Sequence, residues 1–170
     1  MEFMDAIRQR RSIRKYRPDP VPQEEIEYVL EAARLAPSWA NSQCWHFVVV
    51  TDPQVKAAVA KAGNAWTAQA PALIVACADP TQPGTKGDQP YYMLDIGIAM
   101  EHLILAATDR GLGTCWIGAF KEEVAKEALG VPKSIRVVAF TPLGYPAETP
   151  RPQQRKSLEH IVSYNRYEAR

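Results

Sequence analysis

Gly111-Leu112-Gly113-Thr114-Cys115-Trp116-Ile117-Gly118 is the stretch on which the fold turns. It has the outline of a dinucleotide-binding fingerprint. However, the sixth position, where the third glycine belongs, is Trp116, and the order of elements around it is reversed. Ahead of it, Met93, Ile96, Gly97, Met100, Leu103, Ile104 and Ala107 recur at helical spacing for about five turns. Behind it, Thr114 to Ala119 reads as a strand. A segment that leaves a helix and enters a strand presents no helix N-terminus to a pyrophosphate, so the doubly wound nucleotide fold is set aside. Gly111 reads as a helix C-cap. Gly118, at the strand's end, reads as a point where backbone can come close to a ligand.

Outward from that stretch, helices and strands mix without a strict βαβ rhythm. Pro22 followed by Gln23-Glu24-Glu25 opens a helix whose apolar face is Ile26, Val29, Leu30 and Ala33, and Pro37 closes it. His46 to Val50 is β-branched and short, as a buried strand would be. Asp52-Pro53 caps the next helix, which Gly63 ends, and Leu73 to Cys77 reads as a second buried strand. Pro80 to Pro90 is an exposed loop and a candidate lid. The long helix before Gly111 carries little charge until Asp109-Arg110, so it is expected to be deeply buried and to serve as the spine of a dimer. A short amphipathic helix, Glu122 to Leu129, ends at Gly130, and Ile135 to Leu143 is a further strand. Beyond Leu143 the chain is polar and proline-containing. Residues 1–170 are therefore expected to form one domain, with 146–170 as a C-terminal arm.

The chain has 170 residues, 46% of them apolar, enough for one sizeable core. A formal net charge of +1 gives no global field toward nucleic acid or membrane, so any anion binding has to be local. Met1-Glu2-Phe3-Met4-Asp5 lacks the features of a secretory leader, and no apolar run reaches membrane-spanning length. Cys44, Cys77 and Cys115 are odd in number and never form Cys-x-x-Cys, so neither a disulfide framework nor a dithiol pair is expected. The expected compartment is the cytoplasm. There is no Walker motif, nucleophile elbow or His-Glu-x-x-His, and His46, His102 and His160 are scattered, which argues against a metal site or a serine hydrolase.

Two segments concentrate chemistry. Arg8, Arg10, Arg11, Arg14, Lys15 and Arg17 crowd around Ser12, and forked guanidinium donors with a hydroxyl suit a phosphate. The bland alternative is a solvated basic face. A nucleic-acid arm is disfavoured because only Tyr16 interleaves the charges and the rest of the chain adds no basic stripe. Pro37-Ser38-Trp39-Ala40-Asn41-Ser42-Gln43-Cys44-Trp45 packs amides, hydroxyls and two indoles into a helix-to-strand junction. Such a loop can read the polar edge of a heteroaromatic ring and shield it from water, or it can be a polar loop whose tryptophans plug the core.

Taken in order, the Arg10-Arg11-Ser12-Ile13-Arg14 segment, the Pro37 to Gln43 junction, Ala70-Pro71 ahead of a strand, and Gly111 to Gly118 resemble the nitroreductase family. Arg155 just ahead of Ser157-Leu158-Glu159 extends the resemblance, which runs from Phe3 to about Val162. The resemblance implies an α+β fold with a central, mainly antiparallel sheet flanked by helices, in a domain-exchanging homodimer that holds FMN where the subunits meet. It implies that Arg10, Arg11, Ser12 and Arg155 bind the FMN phosphate and that Arg14 faces the pyrimidine edge of the ring. Pro37, Ser38 and Trp39 would reach the flavin from the other subunit, with Asn41 and Gln43 shaping the junction and Asn64 facing the cofactor. Trp116 and Ile117 would pack against one face of the ring, with the Gly118 N–H near its N5.

The implied activity is hydride transfer from NADH or NADPH to a nitroaromatic, quinone or flavin acceptor, in a ping-pong cycle on the shared flavin face. No acid–base triad is needed, because the chemistry sits on the flavin. Alternatives within the same resemblance are a flavin enzyme for one metabolite, of dehalogenating or flavin-fragmenting type, and an FMN carrier or sensor that does not turn over. Cys44 stands where the family more often has proline, and a thiol so near a flavin is expected to be redox-sensitive.

Overall fold

Proline and acidic residues start the helices where the sequence places them, and left-handed glycines follow the last turns of two. The computed structural model describes residues 1–86 and 88–169. Its helices are α1 (Phe3–Gln9), α2 (Gln23–Arg34), α3 (Pro53–Ala60), α4 (Tyr91–Asp109) and α5 (Glu122–Leu129). Asp52 accepts from the N–H groups of Gln54 and Val55 and so caps α3. Gly130 closes α5 at φ 65° and Gly111 follows α4 at φ 70°, both in the left-handed region where a Cβ is costly.

The strands are β1 (Trp45–Val50), β2 (Ala72–Ala78), β3 (Thr85–Lys86), β4 (Gln89–Pro90), β5 (Gly113–Thr114) and β6 (Arg136–Gly144). Four of them form one open sheet in the order β1-β2-β6-β5, and every neighbouring pair is antiparallel. This is the central antiparallel sheet with flanking helices that the sequence led us to expect. All seven residues of β2 are buried because both faces are covered. Ala72 and Ile74 face α2 and α4 together with Ala33, Leu103 and Ile104. Leu73, Val75 and Cys77 face α3 and α5 with Val59, Ala125 and Phe140.

Three expectations need correction. The strand expected at His46 to Val50 is the edge strand β1, and of the six residues Trp45–Val50 only Val50 is buried, because β1 pairs with β2 alone. The strand at Thr114 to Ala119 is not continuous: β5 ends at Thr114, where the Cys115 N–H turns to the Thr141 hydroxyl at 3.0 Å. Pairing returns only at Ile117, which exchanges both backbone bonds with Phe140 at 2.9 and 3.1 Å. Helix α4 is buried along Ile96, Ala99, Met100, Leu103, Ile104 and Ala107, but Met93 is 47% exposed and Asp95 takes a buried place in the same row. The Pro80 to Pro90 loop carries the small β3–β4 hairpin, and Gly87 within it lies outside the described residues. From residue 151 to residue 161 the chain is exposed and, apart from one short 3-10 turn at Leu158–His160, irregular.

Candidate active site

Residues 10–17 leave α1 and run alongside the sheet's β5 end. The Ile13 N–H donates to the Thr114 carbonyl at 2.8 Å and the Arg17 N–H to the Tyr145 carbonyl at 2.9 Å. Tyr16 donates its hydroxyl to the Ile13 carbonyl at 2.6 Å, and burial holds this phenol far above its ordinary range. One carboxylate oxygen of Glu148 accepts from the N–H groups of Arg14 (2.7 Å) and Lys15 (3.1 Å), which brings the later chain back over this segment.

The two stretches enclose a cleft of about 540 Å³. Arg8, Arg10, Arg11 and Arg14 line it from one side, Arg151 and Arg155 from the other, with Ser12 between, and none of its lining residues is acidic. Arg11 is fixed by donating to the carbonyls of Arg8 (2.6 Å) and Arg10 (2.8 Å). Arg8 reaches Asp5 at 3.4 Å and Arg10 reaches Glu101 at 4.0 Å, both outside the cleft lining. Six guanidinium groups around one opening repel one another, and an anion with several acceptor oxygens relieves that repulsion. The donor set fits a phosphate monoester. Four expected phosphate ligands, Arg10, Arg11, Ser12 and Arg155, therefore meet with Arg14 and with Arg8 of the same basic segment, and Arg151, which had no assigned role, joins them.

The break in pairing after β5 shapes the neighbouring surface. Trp116 swings outward to 37% exposure, and its indole N–H donates to Glu101 on α4 at 3.1 Å. Ile117 turns its side chain into the core beneath α3 and α5, so only its backbone is near this surface. Gly118 is exposed, and a Cβ added there meets no atom within 4 Å. Asn64 donates to the Ala119 carbonyl at 3.2 Å, which sets it beside Gly118. Glu101, between Arg10 and Trp116, ties this surface to the arginine cleft.

The Pro37 to Gln43 junction forms a second group. Ala40, Asn41 and Gln43 adopt φ of 47°, 56° and 49°, an unusual density of left-handed residues without glycine. Asp95, 1% exposed, holds this turn: it accepts from the Trp39 N–H at 2.9 Å, the Ser42 hydroxyl at 3.4 Å and the Cys44 thiol at 3.7 Å. The Ser38 hydroxyl accepts from the Gln43 N–H at 2.9 Å. The Trp39 ring stacks on Tyr91 with centroids 5.7 Å apart and lies so close to Gly84 that a Cβ there would sit 2.7 Å from it. Sequence reasoning missed Asp95, although a lone acid one residue ahead of Ile96 in an apolar helical row is a readable signal. Cys44 is 3% exposed, and burial together with Asp95 pushes its thiol up to about 11, so it is an inert thiol rather than the redox-sensitive one expected.

No hydrogen bond, ion pair or ring contact among the described residues joins this junction to the arginine cleft. Asp95 and Glu101 stand six residues apart on α4, about 9 Å along its axis and on different faces. Among the described residues no three of His, Cys, Asp and Glu are grouped to hold a metal ion, and no helix is long and apolar enough to cross a membrane.

The nitroreductase family model matches residues 7–63 and 58–145. A Thermus thermophilus protein named NADH dehydrogenase is 33% identical, with 95% of each chain covered. The crystal structure of a nitroreductase family protein from Clostridium novyi NT is 40% identical over 86% of this chain and 87% of that one, with a TM-score of 0.82. A structure described as an FMN-dependent nitroreductase from Clostridium difficile R20291 superimposes at a TM-score of 0.85 with 28% identity, over 96% and 99% of the two chains. The family match, the identity shared with these relatives and the superposition of the folds agree, and this chain is a member of the nitroreductase family.

Proposed function

We propose that this chain is an FMN-dependent oxidoreductase that accepts hydride from NADH or NADPH and passes it to a nitroaromatic, quinone or flavin acceptor in a ping-pong cycle. The observation that carries this reading is the acid-free cleft of six arginines, linked through Glu101 to Trp116 in the segment that leads to the open backbone at Gly118. The names of two relatives, an FMN-dependent nitroreductase and an NADH dehydrogenase, agree with it.

When bound, FMN supplies a two-electron carrier that both donor and acceptor can approach. The chain's own residues hold and tune it. Arg10, Arg11, Ser12 and Arg155 bind the phosphate. Arg14 offers a fixed cation to the pyrimidine edge, where negative charge grows on reduction. Trp116 walls one side from water, while the Gly118 N–H and Asn64 serve the polar edge of the ring. Ile117 anchors the segment through its backbone pairing with Phe140.

Pro37, Ser38, Trp39, Asn41 and Gln43 complete the pocket from a second copy of the chain. Their separation from the arginine cleft within one chain supports that arrangement. The homodimer is closed by an arm, residues 146–170, of a single cytoplasmic domain. Leu158, Ile161, Tyr164 and Tyr167 are each at least 64% exposed, as an arm seeking a partner would leave them.

The test is an absorbance spectrum of purified protein, with anaerobic addition of NADH and then NADPH. Flavin bands that bleach with either donor support the reading. A colourless protein that takes up no added FMN overturns it, and bands that persist with both donors leave a carrier instead of an enzyme. Loss of the dimer and of FMN together on removing 146–170 supports the arm, and a truncated protein that stays dimeric and yellow overturns it.

A further inference from the structure

We infer that Glu101 is a positioning residue for the cofactor, coupling the phosphate cleft to the indole beside Gly118; this rests on the FMN reading above. Glu101 sits on α4, whose neighbouring residues Met100, Leu103 and Ile104 are anchored in the core, so its backbone has little freedom. One carboxylate oxygen accepts the Trp116 indole N–H at 3.1 Å, and the other lies 4.0 Å from Nε of Arg10.

The two contacts differ in weight. The ion pair is long and partly solvated, so by itself it adds little. The indole bond is charge-assisted, and it holds a large ring on a stretch where backbone pairing is interrupted between Thr114 and Ile117. Without that acceptor the indole is free to rotate off the surface it is meant to cover.

The charge and the hydrogen bond of Glu101 also act in opposite directions. A carboxylate next to Arg10 subtracts from the cleft's attraction for a phosphate, whereas its acceptor oxygen organises the platform beside it. Glu101→Gln removes the charge and keeps an acceptor of the same length. Glu101→Ala removes both. A residue that mattered only by charge would make both variants bind FMN more tightly. A positioning residue separates them, with Gln equal to or tighter than wild type and Ala weaker.

The experiment is FMN titration of the apoprotein, followed by flavin fluorescence, alongside ¹⁵N–¹H spectra of the indole groups without FMN. Trp116→Phe identifies the Trp116 signal. In Glu101→Ala the Trp116 signal moves upfield and exchanges faster with water, and the FMN Kd rises about tenfold, the weight of one charge-assisted hydrogen bond. Glu101→Gln restores both readings.

An unmoved indole signal in Glu101→Ala overturns the inference. A moved signal with an unchanged Kd also overturns it, because Glu101 would then serve local structure alone. If Glu101→Ala does not fold, Glu101→Met, similar in length and without an acceptor, is read in the same way. Wild-type protein that takes up no FMN overturns the cofactor reading and the coupling with it, whereas wild type that binds while every variant binds equally overturns the coupling only.

Discussion

Replacing Asp95 by alanine should cost the fold about 2–3 kcal/mol. The main loss is the bond from the Trp39 N–H at 2.9 Å, and a hydrogen bond to a charged group is worth roughly 1.5–3 kcal/mol. The Ser42 and Cys44 contacts, at 3.4 and 3.7 Å, are long, and together they add roughly 0.5 kcal/mol. Relaxation of the turn acts the other way. Ala40 at φ 47° is held in a conformation that costs an alanine about 1 kcal/mol, part of which is recovered once the turn is released. Asp95→Asn keeps one acceptor oxygen for Trp39 and loses the rest, so about 1 kcal/mol is expected for it. Equilibrium urea unfolding at pH 7, read at equal m-values, measures both variants. An alanine variant within about 0.5 kcal/mol of wild type would refute the claim that this carboxylate holds the turn.

Arg136 grips Glu122 through paired contacts of 2.9 Å, and this pairing, helped by the Val137 N–H and opposed by burial, holds the Glu122 carboxyl at about 2 against an ordinary 4.5. A folded-state value below the unfolded one gives stability that is fully present above about pH 4.5 and is lost as the pH falls toward 2. The loss is about 1–2 kcal/mol after discounting for the half-exposed arginine. Glu122→Gln should flatten that part of the acid-unfolding curve, and an unchanged slope counts against the pairing. Gly84→Ala places a methyl 2.7 Å from the Trp39 ring, so Trp39 emission should shift with a loss of about 1–2 kcal/mol; an unchanged spectrum and stability would show that the ring does not rest there. Cys44, Cys77 and Cys115 are all buried, and burial pushes Cys77 up to about 11 as it does Cys44. The native protein at pH 7.5 should therefore leave all three thiols unlabelled by a disulfide reagent over minutes, and prompt labelling of Cys44 would contradict its burial.

What the sequence disclosed and what it withheld divide along physical lines. Local signals carried: Asp52-Pro53 caps α3, Gly130 ends α5 in the left-handed region, and the unbroken apolar run at Leu73 to Cys77 is a strand covered on both faces. The arginine segment was legible as a local charge excess, because that needs no knowledge of the fold, and the structure gathers it around one cleft. Its meeting with Arg155 came from family resemblance, and nothing in the spacing of the two segments announces it. What stayed hidden depends on partners distant in sequence. The break at Cys115 exists because a hydroxyl 26 positions later takes over a ladder bond. The open face of β1 follows from its place at the sheet edge, which a β-branched run does not encode. Asp95 was readable as a lone acid in an apolar row, but what it pins was not, because its partners lie more than 50 residues upstream.

The arginine cleft is also a statement about assembly. Its two walls come from opposite ends of the chain, and the contact from Arg14 to Glu148 that clasps them spans 134 positions. Closing a flexible loop of that length costs about 4 kcal/mol in entropy, more than one contact returns. The clasp is therefore expected to close late, after pairing of β6 with β5 and the docking of residues 12–17 have brought the termini together. The phosphate proposed for this cleft would act as a buckle on that closure: it would belong to no single segment and would add a tie between the two walls beyond their own backbone bonds. Protection of backbone amides near Arg14 and Glu148 against solvent exchange should then track phosphate occupancy far more closely than protection within β2.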